Sequence, residues 1–300
     1  MKSSSTAWGY AGVVVFTIVV WASAYPAIRV GLRAFTPGQL ASLRFLTAAA
    51  IFAIYAVARH FRLPRGRDLL RATVAGALGI AAYNLLLNTG ELTVSAGAAS
   101  FIINCMPVFA VLLAVAFLGE RLRTLGWIGI VVSFAGVTLI ALGDPSGLHF
   151  SRGALLILLA ALCAALMGFL QKPLLIRYSS ISITACMMWS GALLLTPYLP
   201  GAFRVARHCS SAPLLAVLYL GVFPAALGYV TWAIVLSRFT LSQTATLLYF
   251  IPLAAVVISY FWLKELPSPL SIGGGIVAIA GVALLTRFGK ADSVPLTAAR

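Results

Sequence analysis

Long apolar segments separated by short polar ones follow one another along the whole chain. The stretch from Ser95 to Leu122 is an example, with Pro107 near its middle and a charged end at Glu120. A membrane helix needs ~20 apolar residues, because a helix rises about 1.5 Å per residue through a hydrocarbon core about 30 Å thick. The pattern therefore predicts membrane-spanning helices.

Ten such segments can be distinguished, and helices are favoured because backbone polar groups in hydrocarbon must be paired within their own segment. The predicted spans are 8–32, 36–58, 68–90, 94–118, 124–143, 152–176, 180–200, 212–236, 240–263 and 268–287. The first apolar run is too long for a signal peptide and is read as a retained helix. We therefore expect an all-α polytopic membrane protein with ten transmembrane helices.

The stretch around Pro107 recurs at a constant offset of 145 residues. Pro252 and Glu265 take the places of Pro107 and Glu120, and 12 of the 45 aligned pairs that begin at residues 95–139 are identical. Apolar composition alone would give several identities, but it would not easily give this proline, this glutamate and two glycines together. The sequence predicts a duplicated chain with five helices in each half.

The distribution of basic residues predicts how the halves are oriented. The side that holds both termini carries 14 Lys and Arg residues, the other side carries six, and Arg44 lies within a span. An excess of basic residues marks the cytoplasmic side. Because each half has an odd number of helices, equivalent loops face opposite sides. We therefore expect inverted repeats at 8–143 and 152–287, with both termini cytoplasmic.

Inverted repeats favour one functional class. Two similar halves in opposite orientations can exchange conformations and open a central site to each side in turn, which is the requirement of a transporter. The net charge of +15 would point to nucleic acid in a soluble protein. Here the basic residues lie in short loops between apolar segments, so we expect the lipid bilayer and no nucleic acid as partner.

The sequence contains no pattern typical of an enzyme. His60, His149 and His208 lie in predicted loops without HExxH spacing, and no glycine-rich phosphate loop is present. The four cysteines form no CxxC pair, and the three that lie inside apolar segments are expected to pack as small apolar residues. We expect no catalytic residue, no metal site and no cofactor.

Several segments resemble a known family. ASLRFLTAAAIF (41–52), PVFAVLLAVAFLGERL (107–122) and WIGIVVSFAGVTLIAL (127–142) are similar to the EamA-type repeat of the drug/metabolite transporter superfamily. IPLAAVVISYFWLKEL and GGGIVAIAGVALL match it more loosely in the second half. Within the superfamily the chain most resembles the bacterial aromatic amino acid exporters. The resemblance implies ten helices, a bacterial inner membrane and efflux of amino acids with loose selectivity.

Polar and aromatic residues in the middle of spans are the candidates for a substrate site, because polar side chains there are costly unless they face protein or water. Trp21, Tyr25 and Arg29 share one helix face, as do Asn84 and Asn88. Interfacial aromatic residues and helix–helix hydrogen bonds are the alternative explanations. The predicted substrate-binding residues are Trp21, Tyr25, Tyr83, Asn84, Asn88, Ser100, Asn104, Gln171, Trp189, Tyr229, Trp232 and Tyr249.

Other mid-span residues are expected to shape the helices. Pro107 and Pro252 each remove an intrahelical hydrogen bond and are predicted hinges, with a static kink as the alternative. The small faces Gly129/Ser133/Gly136 and Gly274/Ala278/Gly281 are expected to allow close helix packing. Arg44 is expected to extend toward the membrane boundary and to serve a structural role.

The most favoured function is export of aromatic and other neutral amino acids through a central cavity by a chain that can act as a monomer. Efflux of drugs or quaternary cations is one alternative. Transport of a sugar phosphate or nucleotide sugar is another, although two or more mid-span basic residues would be expected for it. A membrane scaffold without transport activity is the remaining one.

The positions of the six acidic residues bear on energy coupling. All lie at or beyond span ends, namely Asp68, Glu91, Glu120, Asp144, Glu265 and Asp292. Glu91 comes nearest to the cavity, and we expect it to be hydrated and to titrate near its ordinary value of about 4.3. It would then hold no proton at neutral pH. The sequence therefore predicts transport without obligatory proton exchange.

The charge distribution gives a prediction about topology. Thiols introduced near His149 and Lys264 should react with an impermeant reagent applied to intact cells, whereas thiols near Arg65 and Arg123 should not, because the basic side stays cytoplasmic. Labelling of Arg65→Cys in intact cells would contradict the orientation.

Overall fold

The computed structural model of the chain describes residues 2–58, 63–118, 121–143, 152–238 and 248–289. Within these ranges the chain is helical and contains no β-strand. The α-helices are α1 (Lys2–Gly31), α2 (Pro37–Ala58), α3 (Arg67–Gly76), α4 (Tyr83–Gly90), α5 (Ala96–Ile103), α6 (Met106–Leu118), α7 (Thr124–Leu142), α8 (Arg152–Gln171), α9 (Ser180–Leu194), α10 (Leu199–Ala206), α11 (Ser211–Leu220), α12 (Gly228–Arg238), α13 (Phe250–Leu263) and α14 (Pro269–Phe288). His60, Glu120, Asp144, His149 and Asp292 lie outside the described residues.

Short segments of other helical types join some of these helices. Two π-helical segments, Ala77–Ala82 and Gly221–Leu227, connect α3 to α4 and α11 to α12. Leu174–Ile176 and Thr196–Tyr198 are 3₁₀ turns. The predicted all-α class is confirmed for the part of the chain that the structure describes.

Eight helical stretches in the described ranges are long and apolar enough to cross a membrane. They are Gly12–Gly31, Pro37–Ala58, Arg67–Gly90, Ala96–Phe117, Thr124–Leu142, Arg152–Ile176, Ser211–Ser237 and Pro269–Phe288. α9 and the helix after it would form a ninth span, bent by 49°. α13 is apolar but has only 14 residues, and residues 239–247 before it are not described. The protein is therefore polytopic, and the number ten stays a prediction.

Elements of the two halves correspond at the offset read from the sequence. α7 and α14 begin at Thr124 and Pro269, which are 145 residues apart. The first π-helical segment begins at Ala77 and the second at Gly221. At the offset of 145 residues, these two starts agree to within one residue. The interruption at Asn104, between α5 and α6, is repeated at Tyr249, before α13. These correspondences are typical of a duplicated chain.

The helices α7 and α14 approach each other closely through small residues. A Cβ atom on Gly136 would lie 2.3 Å from the backbone nitrogen of Ala278, and one on Gly129 would lie 2.7 Å from that of Leu285. Rising residue numbers on α7 meet falling numbers on α14, so the two helices are antiparallel. The packing role predicted for the two glycine faces is confirmed.

Each predicted hinge proline lies in the first turn of a helix. α6 begins at Met106, so Pro107 is its second residue, and Pro252 is the third residue of α13. A backbone N–H in the first turn has no intrahelical acceptor, so proline there removes no hydrogen bond. The expected loss of a mid-helix bond is therefore wrong, and movement at these positions stays a prediction.

The helices α1 and α2 pack against elements from both halves of the chain. α1 packs against α11, α12 and α13, and α2 packs against α4, α9 and the π-helical segment Gly221–Leu227. These contacts bring the mid-span polar residues of both halves toward one place.

The α7–α14 contact generates a prediction about stability. Gly281→Leu should lower the free energy of unfolding by about 1–3 kcal/mol, because a Cβ there would lie 2.3 Å from the backbone nitrogen of Ser133. Gly273→Leu on the same helix is the control, since no atom lies within 4 Å of its Cβ position. The measurement is thermal unfolding of the purified protein in detergent. Equal unfolding temperatures for the two variants would contradict the packing account.

Candidate functional site

A buried arginine–asparagine pair lies at the centre of the described helices. The Arg44 side chain on α2 is 3% exposed, and its Nη1 donates a hydrogen bond of 2.9 Å to Oδ1 of Asn84. The Asn84 Nδ2 in turn donates to the carbonyl of Ile80 at 2.8 Å. The expectation that Arg44 extends toward the membrane boundary is wrong. Because the third span offers an acceptor at the same depth, the guanidinium turns inward and meets a buried partner.

The π-helical segments supply backbone acceptors to this site. A π-helix pairs each N–H with the carbonyl five residues back, and such segments are frequent at functional sites. The Tyr229 hydroxyl donates to the Gly79 carbonyl at 3.2 Å, one residue before the carbonyl that Asn84 uses. Trp21 Nε1 donates to the carbonyl of Pro224 at 3.3 Å. Asn84 and Tyr229, at equivalent positions of the two halves, therefore bond to the same π-helical segment.

Aromatic side chains cover one side of the pair. The Trp21 ring centroid lies 5.2 Å from that of Trp232 and 5.7 Å from that of Tyr229. Tyr25, one turn along α1, is 5% exposed. The charge of Arg44 interacts with Tyr25, Tyr83, Tyr229 and Glu91. In this conformation Arg44 and Asn84 are buried beside a cluster of aromatic side chains.

The structure brings six of the predicted site residues together, and it adds one that the sequence interpretation treated as structural. The six are Trp21, Tyr25, Tyr83, Asn84, Tyr229 and Trp232. Arg44 is the addition. The signal that could have identified it was its position within a span, two turns from the nearer end, opposite a mid-span asparagine.

The remaining predicted site residues have their bonding partners elsewhere. Asn88 Nδ2 donates to the carbonyl of Pro37 at 3.1 Å, and Asn104 Nδ2 donates to that of Leu248 at 3.4 Å. Ser100 donates to a carbonyl of its own helix. These contacts are of the kind expected from the helix-packing alternative. Asn88 and Asn104 each retain a buried amide oxygen without a partner among the described residues.

Three further predicted residues lie on other elements or at helix ends. Trp189 Nε1 donates to the carbonyl of Ala49 at 3.1 Å. Gln171 is buried at the last residue of α8. The Tyr249 hydroxyl lies 2.8 Å from Thr286 Oγ1, so this ring packs on α14. Their role as substrate ligands stays a prediction.

Charged residues meet at one end of the bundle, directly after the span that ends at Gly90. Arg29 Nη1 donates to the main-chain carbonyl of Glu91 at 2.5 Å, and Nη2 contacts Oε1 of Glu265 at 3.3 Å. Glu91 is 0% exposed, and its two carboxylate oxygens have no hydrogen-bond partner among the described residues. Burial raises the pKa of the Glu91 carboxyl well above its ordinary value. The expectation that Glu91 is hydrated and titrates normally is wrong.

A small cavity of about 60 Å³ lies near this charged cluster. Its lining includes residues from both sides of the cluster, namely Thr93, Ser95 and Ala98 after Glu91, and Leu266 and Ser268 after Glu265. Among the described residues no three His, Cys, Asp or Glu side chains are placed to hold a metal ion.

Comparison with known proteins agrees with this architecture. The profile of the EamA-like transporter family matches residues 8–142 and 151–287. A protein of Streptantibioticus cattleyicolor named "Probable terminal-alkyne amino-acid exporter" is 39% identical, covering 96% of this chain and 95% of its own. A Salmonella typhimurium protein named "Probable amino-acid metabolite efflux pump" is 25% identical, covering 89% of this chain and 91% of its own.

A solved crystal structure shares the fold at 19% sequence identity, with a TM-score of 0.64 over 92% of this chain and 95% of that chain. The family profile matches each half in turn, and the two matches cover nearly the whole chain. A buried polar site between membrane helices is what such a protein needs for moving a solute. The chain belongs to the EamA-like transporter family, and it is a membrane transporter rather than an enzyme.

Proposed function

We propose that this transporter exports amino acids and that the Arg44–Asn84 pair holds the substrate. The observation that carries the proposal is a buried guanidinium whose hydrogen-bond partner among the described residues is a neutral amide, beside an aromatic wall. An arginine fork matches a carboxylate in geometry and charge, and charge-assisted hydrogen bonds are among the strong ones. An amino acid carboxylate can therefore compete with the Asn84 oxygen for Arg44.

The rest of an amino acid finds suitable chemistry around the pair. The rings of Trp21, Trp232 and Tyr229 offer an apolar surface for a neutral or aromatic side chain. The ammonium can be placed near the faces of these rings or near tyrosine hydroxyls. Such a wall contacts the substrate side chain without specific hydrogen bonds, which supports the proposed broad selectivity. The names of two relatives, an amino-acid exporter and an amino-acid metabolite efflux pump, point the same way.

We further propose alternating access by two inverted five-helix repeats, 8–143 and 152–287. The antiparallel crossing of the equivalent helices α7 and α14 supports the inversion. The matching π-helical segments support a common bending point in each half. The proposal includes a bacterial inner membrane, cytoplasmic termini and a monomer as the working unit, because one chain supplies both repeats.

The site disfavours one of the alternative functions. A quaternary cation would have to enter beside the buried positive charge of Arg44, and like charges repel strongly at low dielectric. A sugar phosphate would be attracted to Arg44, so it remains the second candidate. The earlier prediction of transport without proton exchange has lost its basis, because that prediction required a hydrated Glu91, and Glu91 is buried.

The proposed function predicts a particular order of substrates. Proteoliposomes loaded with unlabelled phenylalanine should take up labelled phenylalanine by counterflow, and other neutral amino acids should compete. Phenethylamine, which lacks the carboxylate, and hexose phosphates should compete poorly. Preferred exchange of hexose phosphates, or no exchange of any amino acid, would overturn the proposal.

Arg44 gives the sharper prediction within the same assay. Arg44→Gln should raise the phenylalanine concentration for half-maximal exchange by roughly 10–100-fold, because a hydrogen bond to a charged group contributes about 1.5–3 kcal/mol. Competition by phenethylamine should improve, because its ammonium no longer meets the Arg44 charge, so the preference for the carboxylate should disappear. Arg33→Gln is the matched control, since Arg33 is exposed. An Arg44→Gln protein that still prefers phenylalanine to its amine would show that Arg44 does not bind the carboxylate.

A further inference from the structure

The charged cluster at the end of the third span brings together three side chains from separate parts of the chain. Arg29 lies on α1, Glu91 follows α4, and Glu265 follows α13. Arg29 and Glu265 are about one-third exposed, at 30% and 31% of their side-chain surface, whereas Glu91 is fully buried. The cluster therefore connects the surface of the protein to a buried carboxyl group.

Arg29 makes different kinds of contact with the two glutamates. Its guanidinium bonds to the Glu265 carboxylate but only to the main-chain carbonyl of Glu91. The Glu91 carboxyl group has no partner among the described residues, although Arg29 already contacts the same residue. The Glu91 carboxylate is therefore a second acceptor close to Arg29, for which Arg29 could exchange Glu265 by side-chain rotation.

The surroundings of Glu91 determine its protonation. The Arg29 charge on α1 and the Arg44 charge on α2 favour the ionised carboxylate, and Glu265 opposes it. Tyr25 and Tyr83 also lie within electrostatic range of Glu91. The Glu91 carboxyl is buried and has no hydrogen-bond partner among the described residues, and an ionised carboxylate in that position is very costly. Burial therefore favours the protonated form of Glu91 in the conformation that the structure shows.

We propose that Glu91 is a proton-binding site that controls the closure of this end of the transporter. With the proton bound, the Glu91 side chain does not bind Arg29. Arg29 then stays bonded to Glu265, and α1 stays in contact with the end of α13. When the proton leaves, the Glu91 carboxylate takes Arg29 from Glu265, and the contact between α1 and α13 is released. The assignment of this exchange as a gate rests on the alternating-access transport proposed above.

The sign of the pH dependence follows from these two states. Low pH keeps Glu91 neutral and the Arg29–Glu265 contact intact, so the end stays closed. Rising pH ionises Glu91 and favours the open form. The position equivalent to Glu91 in the second half is Leu236, and that equivalent to Arg29 is Leu174. The proton-controlled contact therefore belongs to one end of the bundle.

A reporter near the cluster allows a direct test. Ala98 is 5% exposed and lines the small cavity whose wall includes the segments that follow Glu91 and Glu265. A thiol in Ala98→Cys should be protected in the closed form and should react after release of the contact. The rate is measured on purified protein in detergent, by mass spectrometry of the peptide that contains residue 98. Comparing two variants at the same pH cancels the ionisation of the thiol itself.

Glu91→Gln mimics the protonated acid and should fold like the parent. At high pH, Ala98→Cys alone should react about tenfold faster than Ala98→Cys/Glu91→Gln, and the ratio should fall to about one at low pH. Adding Glu265→Gln to the reporter should increase labelling at low pH, because Arg29 loses its carboxylate partner. Asp68→Asn is the control, since Asp68 bonds Arg177 and Tyr178 in another part of the chain.

Equal rates in the parent reporter and the Glu91→Gln variant at every pH would overturn the proposal. Counterflow separates this outcome from failure of the proposed function. Glu91→Gln should still exchange phenylalanine but with a flatter pH dependence than the parent. Loss of the labelling difference with normal amino acid exchange would reject the gate alone. A labelling difference without amino acid exchange would reject the proposed substrate alone.

Discussion

Hydrocarbon offers no water to a polar group, so every polar side chain inside the bundle needs a partner from the protein. Arg44 is the strictest case, because a buried guanidinium combines a full charge with five donors. Asn84 from the third span accepts a hydrogen bond from Nη1, and tyrosines from α1, α4 and α12 lie within electrostatic range. The Nε of Arg44 is buried without a hydrogen-bond partner among the described residues. These helices are held together at the depth of this residue, and the site is built around its requirement.

The π-helical segments provide backbone carbonyls as further hydrogen-bond partners for buried polar side chains. By shifting the hydrogen-bond register they allow carbonyls to bond with side chains instead of the helix alone, and Asn84, Trp21 and Tyr229 each use one. The two segments occupy nearly equivalent positions, so the scaffold is close to symmetrical. The chemistry is not symmetrical, because Trp189 takes the place of Arg44 and Leu236 that of Glu91 in the second half. Within the described residues, a duplicated framework thus carries one buried arginine and one buried acid, each in the first half alone.

Periodicity and repetition in the sequence predicted the helices and the glycine contacts well. Membrane spans are long, and the small faces of α7 and α14 recur at one offset, so both leave strong patterns. The search for polar and aromatic residues in the middle of spans also identified Asn84 and Tyr229 as candidates. The depth of a residue along a helix does not determine which neighbouring helix its side chain contacts. For this reason the sequence did not predict the contact of Tyr249 or the burial of Glu91. Tyr249 lies opposite Asn104 in the alignment, yet its ring packs on α14. Glu91 lies at a span end, yet neighbouring helices bury it completely.

The central claim is that the Arg44 guanidinium binds the carboxylate of the transported amino acid. Solid-state nuclear magnetic resonance can test it with phenylalanine labelled at the carboxyl carbon and protein labelled at the arginine side-chain nitrogens. The account predicts a dipolar coupling between the carboxyl carbon and a guanidinium nitrogen, at hydrogen-bonded distance, that disappears in Arg44→Lys. A bound phenylalanine whose coupling is absent, or is unchanged in Arg44→Lys, would contradict the account.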